Sequence, residues 1–180
     1  TNGHLTKKPS RELLERMDAV NVKLKSFNAR FYEDELGGKL EAVTDFITIA
    51  CELTNTEVTT LLIPGKNDSD EEVESIARFL SGLDPDIALH LSGYYPTYQY
   101  VVDATTPGQI EHAKEIAERH LNHVYPGNVA GDSTTRCSSC GATLVTRSGY
   151  HARPVGLDGT RCASCGEESS IAWHERPNQA

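Results

Sequence analysis

The stretch that decides the fold is Ala19-Val20-Asn21-Val22-Lys23-Leu24-Lys25-Ser26-Phe27. Its side chains alternate at a period of two, with Val20, Val22 and Leu24 on one face and Asn21, Lys23 and Lys25 on the other. A period of two is typical of a β-strand, so the sequence predicts a strand over 19–27 with one apolar and one polar face.

Strand and helix patterns alternate on both sides of this stretch. Further strands are predicted over 58–63, 87–92 and 124–125, and apolar residues at helical spacing lie between them. Ahead of the first strand, Leu13, Leu14 and Met17 predict the apolar stripe of a helix. Two capping boxes, Ser69 with Glu72 and Thr106 with Gln109, mark helix starts. A βαβα order predicts parallel strands with the helices packed outside.

The number of strands bears on the extent of the domain. Four strands are recognisable, whereas a closed parallel barrel needs about eight, and an open sheet would leave its first edge bare. We therefore expect this chain to be the C-terminal part of a longer protein. The expected division is a barrel half over 1–130 and a metal module over 131–180, joined through 127–135.

Net charge and hydropathy limit which partners and which cellular location are expected. The net charge is −9 over 180 residues, and the first 130 residues carry the whole acidic excess. Nucleic-acid binding needs clustered Lys and Arg, so neither nucleic acid nor an anionic membrane is an expected partner. No apolar run approaches the roughly 20 residues of a membrane span, and no signal peptide is recognisable. The expected location is cytoplasmic.

Four of the five cysteines form two matched C-x-x-C-G motifs, Cys137 to Gly141 and Cys162 to Gly166. This spacing places two thiolates per motif on one metal ion, and four sulfur ligands leave no open position. We therefore predict a structural Zn²⁺ site formed by Cys137, Cys140, Cys162 and Cys165. Iron in the same ligands and two redox dithiols are the alternatives. The fifth cysteine, Cys51, fits a buried small apolar residue.

The polar face of the first strand is a candidate binding surface. In a barrel Lys23 and Lys25 would point into the lumen, near its carboxyl end, where ligands bind. Lys25 would then bind a carboxylate or form a Schiff base; a solvated strand face is the alternative. His90, on the less apolar face of the third strand, is either a further site residue or a hydrogen-bonded core histidine.

Several motifs together resemble one family. They are Thr1-Asn2-Gly3-His4, Asp18 to Phe27, Val58-Thr59-Thr60-Leu61-Leu62-Ile63-Pro64-Gly65-Lys66-Asn67-Asp68, Gly127-Asn128-Val129 and the double C-x-x-C-G ribbon. In this order they resemble the second half of radical SAM enzymes akin to pyruvate formate-lyase activating enzyme, and among these the AmmeMemoRadiSam proteins. The resemblance extends from Thr1 to Trp173.

The resemblance implies a partial (β/α)₆ barrel that holds a 4Fe-4S cluster and S-adenosylmethionine. It implies reductive cleavage of S-adenosylmethionine to a 5′-deoxyadenosyl radical, which abstracts hydrogen from a substrate, either a protein or a small molecule. Asn2 and Gly3 match the turn against the nucleoside part of S-adenosylmethionine, and Lys25 matches a lysine near its methionine carboxylate. Lys23 and His90 complete the expected cofactor-binding set.

The chain departs from the family pattern at several positions. The C-x-x-x-C-x-x-C motif that holds the cluster is absent from this sequence. Lys23 stands where the family usually has Asp, and Gly93 and Tyr95 stand where relatives tend to have Arg and His. Under the resemblance, the Lys23 ammonium would take the place of a small cation. The departures favour the alternative function, a non-catalytic zinc-ribbon interaction module on an αβ scaffold.

Overall fold

The computed structural model describes residues 1–98, 100–149 and 151–171. Trp173, at the end of the expected resemblance, and the last residues of the expected metal module lie outside the described residues. The chain divides into two compact units, the first covering Thr1–Asp132 and the second beginning at Ser133.

The first unit is a four-stranded parallel sheet with helices between its strands. In chain order its elements are α1 (Lys7–Leu14), β1 (Ala19–Lys23), α2 (Ala29–Asp34), α3 (Leu40–Leu53), β2 (Asn55–Leu62), α4 (Asp70–Leu83), β3 (Ala88–Gly93), α5 (Pro107–Ala117) and β4 (Val124–Pro126). The sheet order is β1-β2-β3-β4, and all three pairings are parallel. The predicted α/β class with parallel strands is confirmed.

One face of this sheet forms the core with the helices. Val22, Val58 and Leu89 from the strands are fully buried with helix residues such as Phe46 and Leu80. Because side chains alternate along a strand, Asn21, Thr59 and His90 share the opposite face. This second face is polar and partly exposed.

The first strand is shorter than predicted, ending at Lys23 and not at Phe27. Beyond that point side chains replace the strand hydrogen bonds. Thr60 Oγ1 donates to the carbonyl of Leu24 at 2.8 Å, and the N–H of Lys25 donates to the hydroxyl of Tyr32 at 3.1 Å. Lys25 therefore lies just after the strand, in the loop leading to α2.

Two local predictions about helices are wrong. Leu13 and Met17 are each 38% exposed, and only Leu14 of the predicted stripe is buried. Ser69 caps α4 by accepting from the N–H of Glu72, but the Glu72 carboxylate does not complete a capping box. It accepts instead from the Ser26 hydroxyl and from the N–H of Phe27, at 2.6 Å in the latter case. The predicted capping box of Thr106 and Gln109 is confirmed.

The second unit is built of short antiparallel strands. β5 (Thr135–Arg136), β6 (Thr143–Ser148) and β7 (His151–Pro154) form one sheet, and β8 (Leu157–Asp158) and β9 (Arg161–Cys162) pair in a second. Its apolar cluster is small, with Leu144 and Val145 packed beside Cys137 and Cys162. A core of this size supplies little folding free energy by itself.

Among the described residues, no helix combines the length and apolar character that crossing a membrane requires.

Candidate functional site

The N-terminal turn lies against the outer edge of β1. The backbone nitrogen of Thr1 donates to the carbonyl of Asn21 at 2.9 Å, and the N–H of Lys23 donates to the carbonyl of Thr1 at 2.9 Å. Gly3 follows with φ +66°, and a Cβ there would lie 2.9 Å from Cγ1 of Val22. Glycine is required because both the left-handed backbone and the close approach exclude a side chain.

A cleft of about 230 Å³ opens beside this turn. Its lining consists of Asn2, His4, Lys23, Lys25, Tyr32, Leu36, Gly37, Gly38 and Val43. The structure thus brings together three of the five predicted cofactor-binding residues. Gly3 is a buried residue of the turn itself, and neither it nor His90, on β3, is among the residues that line the cleft.

The backbone around Lys25 is held from several directions. Asn67, only 2% exposed, donates from Nδ2 to the carbonyl of Lys25 at 2.6 Å and to that of Leu61 at 2.8 Å. Its Oδ1 accepts from the N–H of Ile63 at 2.7 Å. This one amide therefore fixes the ends of β1 and β2 and the turn between β2 and α4.

Lys23 lies on the polar sheet face, where its ammonium donates to Oδ1 of Asn21 at 3.0 Å. The same oxygen accepts from Oγ1 of Thr59 at 2.9 Å. Both lysines are exposed, so the cleft presents two positive charges to an incoming ligand. A carboxylate or phosphate is the ligand chemistry that such a pair attracts.

His4, which lines the cleft, also holds the neighbouring loop in place. Nε2 of His4 accepts a hydrogen bond from the N–H of Lys39 at 3.1 Å, which ties the N-terminal turn to the loop before α3. Sequence reasoning passed over His4, Tyr32 and Asn67. His4 and Asn67 contact residues 35 and 42 positions away, and Tyr32 belongs to the helix α2, which the sequence analysis did not predict. Asn67 carried one signal, because it lies in the Pro64-to-Asp68 turn that the resemblance included.

Gly93 is closely packed at the end of β3. A Cβ at this position would lie 3.1 Å from Cγ1 of Val129 and 3.4 Å from Cβ of Thr105. The side-chain amide of Asn128 makes two hydrogen bonds to the backbone of Gly93. Its Oδ1 accepts from the N–H of Gly93 at 2.7 Å, and its Nδ2 donates to the carbonyl of Gly93 at 2.9 Å. A side chain at position 93 would require the Val129 side chain to shift slightly. Tyr95, in contrast, is 53% exposed.

The second candidate site is the cluster of four cysteine sulfurs in the second unit. All four Sγ atoms lie within 4.8 Å of one another. The Sγ atoms of Cys137 and Cys165 are 3.7 Å apart, as are those of Cys140 and Cys162. A tetrahedron with metal–sulfur bonds of about 2.3 Å has edges of about 3.8 Å, whereas a disulfide bond is about 2.05 Å long. The spacing therefore fits four ligands of one ion.

The two cysteine loops have the same backbone construction. The N–H of Gly141 donates to the carbonyl of Cys137 at 2.9 Å, and that of Gly166 donates to the carbonyl of Cys162 at 2.8 Å. Both glycines have positive φ, at +72° and +77°. The match extends to the sequence T-R-C-x-S-C-G, which begins at Thr135 and again at Thr160.

The thiols perturb one another in a way that favours a bound cation. Hydrogen bonds from the N–H groups of Cys165 and Ser164 lower the pKa of Cys162 to about 7. For Cys165 the N–H of Glu167 acts to lower the pKa, but the sulfur of Cys140, desolvation and the remaining thiols outweigh it and raise the pKa to about 12. Four thiolates this close repel one another, and a divalent cation relieves that repulsion.

Comparison with known proteins identifies similar folds and one similar sequence. No family model matches the chain. In solved structures, a domain of a pyruvate-formate lyase-activating enzyme from Bacteroides vulgatus has a TM-score of 0.59 at 17% identity, covering 68% of this chain and 75% of that one. A radical SAM methyltransferase from Sphaerobacter thermophilus has a TM-score of 0.51 at 20% identity, covering 68% and 38% respectively. The fold is thus that of radical SAM partial barrels.

A curated relative is known from Methanocaldococcus jannaschii, an uncharacterized protein that is 35% identical over 164 residues. The match covers 88% of this chain and 48% of the relative. The chain therefore spans about half the length of the curated relative it matches.

Proposed function

We propose that this chain is the C-terminal portion of a radical SAM enzyme and that its cleft binds the methionine end of S-adenosylmethionine. The observation that carries the proposal is the convergence of Asn2, Lys23 and Lys25 on one cleft, within a fold shared with radical SAM proteins. The activity proposed for the whole protein is reductive cleavage of S-adenosylmethionine to a 5′-deoxyadenosyl radical for hydrogen abstraction.

The cleft fits one end of such a ligand. Its volume of about 230 Å³ is below the roughly 300–1,000 Å³ of complete small-molecule sites. Lys25, whose backbone is fixed by Asn67 and Tyr32, binds the carboxylate. The turn at Asn2 and Gly3 lies against the nucleoside part, with Asn2 lining the cleft and Gly3 allowing the turn to pack closely on Val22 and Phe46.

The iron–sulfur cluster has no ligand set in this chain. Four of the five cysteines belong to the ribbon cluster, and Cys51 is a single half-buried thiol. Burial raises the pKa of the Cys51 thiol, which disfavours the thiolate that a metal needs. When bound elsewhere in the whole protein, the cluster would supply the electron for the cleavage.

The test is S-adenosylmethionine binding by the intact protein, measured calorimetrically under anaerobic conditions. Lys25→Met should weaken binding at least tenfold, because one charged hydrogen bond contributes about 1.5–3 kcal/mol. Lys8→Met removes an equal charge from the exposed surface of α1 and is the matched control. Equal affinities for both variants and the wild type would refute the cleft as the carboxylate site.

A non-catalytic scaffold bearing a zinc ribbon is the second candidate function. The observation that favours it is the close packing of Gly93 against Val129 and Thr105, because the arginine that relatives tend to have there would require Val129 to move. An intact protein that binds zinc but no S-adenosylmethionine would support this alternative.

A further inference from the structure

A carboxylate–imidazole pair lies on the polar face of the sheet. Oε2 of Glu57, on β2, is 3.1 Å from Nε2 of His90, on the neighbouring β3. The side chains are 54% and 29% exposed, respectively. The pair is therefore accessible from the side of the sheet that faces away from the helices.

The ring of His90 is fixed by a second contact. It packs on the ring of Tyr125 from β4, with centroids 5.5 Å apart and planes tilted by 34°. Tyr125 in turn stacks on His123, whose Nε2 lies 3.9 Å from Asp86. Toward β1, Thr59 is the residue in register with His90, and the Lys23 ammonium is bonded to Asn21. Glu57 is thus the carboxylate in contact with the His90 ring.

This geometry determines which nitrogen carries the proton in the neutral ring. A carboxylate only accepts hydrogen bonds, so Nε2 must donate, and Nδ1 keeps its lone pair. Within the part of the chain that the structure describes, no residue bonds to Nδ1 of His90. The same arrangement, a carboxylate that sets the tautomer of a histidine, prepares an imidazole to act on a ligand in hydrolases.

We propose that Glu57 is a positioning residue for His90, and that Nδ1 of His90 accepts a hydrogen bond from a hydroxyl or amino group of the ligand on the polar sheet face. This rests on the proposed function, in which the methionine end of S-adenosylmethionine binds in the cleft at Lys23, and it places another part of the ligand on the same sheet face at His90. Glu57 was not among the predicted site residues. In the sequence, Glu57 is recognisable as the one charged residue of β2, and it shares a strand face with Thr59 and Leu61.

The first experiment measures the tautomer directly by ¹⁵N NMR of the histidine rings in the 180-residue chain. Wild type should show His90 protonated at Nε2 with Nδ1 bare, at a pH where the ring is neutral. Glu57→Gln should lower the share of the Nε2–H form and raise that of the Nδ1–H form, because a carboxylate only accepts from the ring, whereas a glutamine amide can also donate to Nε2. Glu115→Gln, an exposed charge-matched change on α5, should leave the His90 signals unchanged. An unchanged tautomer in Glu57→Gln overturns the positioning role.

The second experiment measures S-adenosylmethionine affinity of the intact protein. His90→Phe, which keeps the ring packed on Tyr125, and Glu57→Gln should each weaken binding about tenfold. The double variant should bind no more weakly than His90→Phe, because a positioning role for Glu57 reaches the ligand through His90. Wild-type affinity in both single variants overturns the ligand contact while leaving the cleft proposal standing. A wild type that does not bind refutes the proposed function itself.

Discussion

Asn67 shows at the scale of one residue how the proposed site is held in place. Its buried amide joins the carbonyls of Lys25 and Leu61 to the N–H of Ile63. A substitution that removes this amide leaves three backbone groups without their partner. Buried polar groups without partners cost more than the net value of the hydrogen bonds they made.

Asn67→Ala should therefore lower the free energy of unfolding by about 3 kcal/mol or more, since each of the three groups left without a partner costs about 1–3 kcal/mol. Urea unfolding followed by far-ultraviolet circular dichroism measures the change. Asn122→Ala removes a single exposed bond to Asp86 and should cost less than about 1 kcal/mol. If both variants unfold at the same urea concentration, Asn67 does not hold the strand ends.

Glu35 and Lys66 form an exposed ion pair between two loops, with Oε1 and Nζ 2.7 Å apart. The hydrogen bond from Lys66 lowers the pKa of Glu35, and the bond to Glu35 raises the pKa of Lys66. Because the pKa of Glu35 is lower in the folded state, its contribution to stability is present above the unfolded pKa. That contribution is lost as the pH falls through the folded pKa.

Lys66→Met should therefore raise the pKa of Glu35 toward its ordinary value, as followed by NMR of the carboxyl carbon during an acid titration. Tyr100→Phe should raise it less, since the hydroxyl of Tyr100 lies farther away, at 3.4 Å from Oε2. An unchanged Glu35 titration in Lys66→Met would show that the pair does not persist in solution.

The ribbon is the element whose folding depends most on a bound ion. Its buried apolar cluster is small, and its four sulfurs have the spacing of tetrahedral ligands. Metal binding to such a site contributes folding free energy directly. The loss of one ligand should consequently affect the ribbon far more than the parallel sheet, which has its own core.

The purified chain should contain about one equivalent of zinc, as measured by plasma emission spectroscopy, since four thiolates complete one tetrahedral site. Cys162→Ser should lose most of this zinc. In its NMR spectrum the backbone amide signals of 135–171 should lose their chemical-shift dispersion, while those of the parallel sheet keep theirs. Cys51→Ser is the control and should retain the metal. Full zinc content in Cys162→Ser would contradict a four-thiolate site.

At the scale of the whole molecule, the five cysteines of this chain are too few to hold an iron–sulfur cluster in addition to the ribbon metal. The ribbon takes four thiols, and the fifth, Cys51, lies in α3. A 4Fe-4S cluster generally needs four thiolate ligands. The proposed chemistry therefore requires residues beyond this sequence, in line with a curated relative about twice as long.

Anaerobic reconstitution with iron and sulfide should accordingly give no stoichiometric 4Fe-4S cluster outside the ribbon in this chain, as judged by absorbance near 400 nm and by iron analysis. A variant with all four ribbon cysteines replaced by serine distinguishes iron in the ribbon from a separate cluster. A stoichiometric cluster in that variant would refute the proposal that the cluster ligands lie elsewhere.

The sequence by itself determined the order of the four parallel strands, most of the helices between them and the cysteine set, because each follows from local spacing. Alternation along 19–27, the Thr106 capping box and the two C-x-x-C-G motifs all act within a few residues. Even there, the helix α2 was missed, although Asn28 caps it by accepting from the N–H groups of Arg30 and Phe31.

Only the tertiary structure decided which residues share a site. Glu72 pairs with Ser26 across 46 residues instead of capping its own helix, and Asn67 reaches Lys25 across 42. Glu57 meets His90 only because β2 and β3 are adjacent and parallel. These contacts depend on strand order, register and burial, which bring distant residues within a few ångströms, and no local periodicity encodes them.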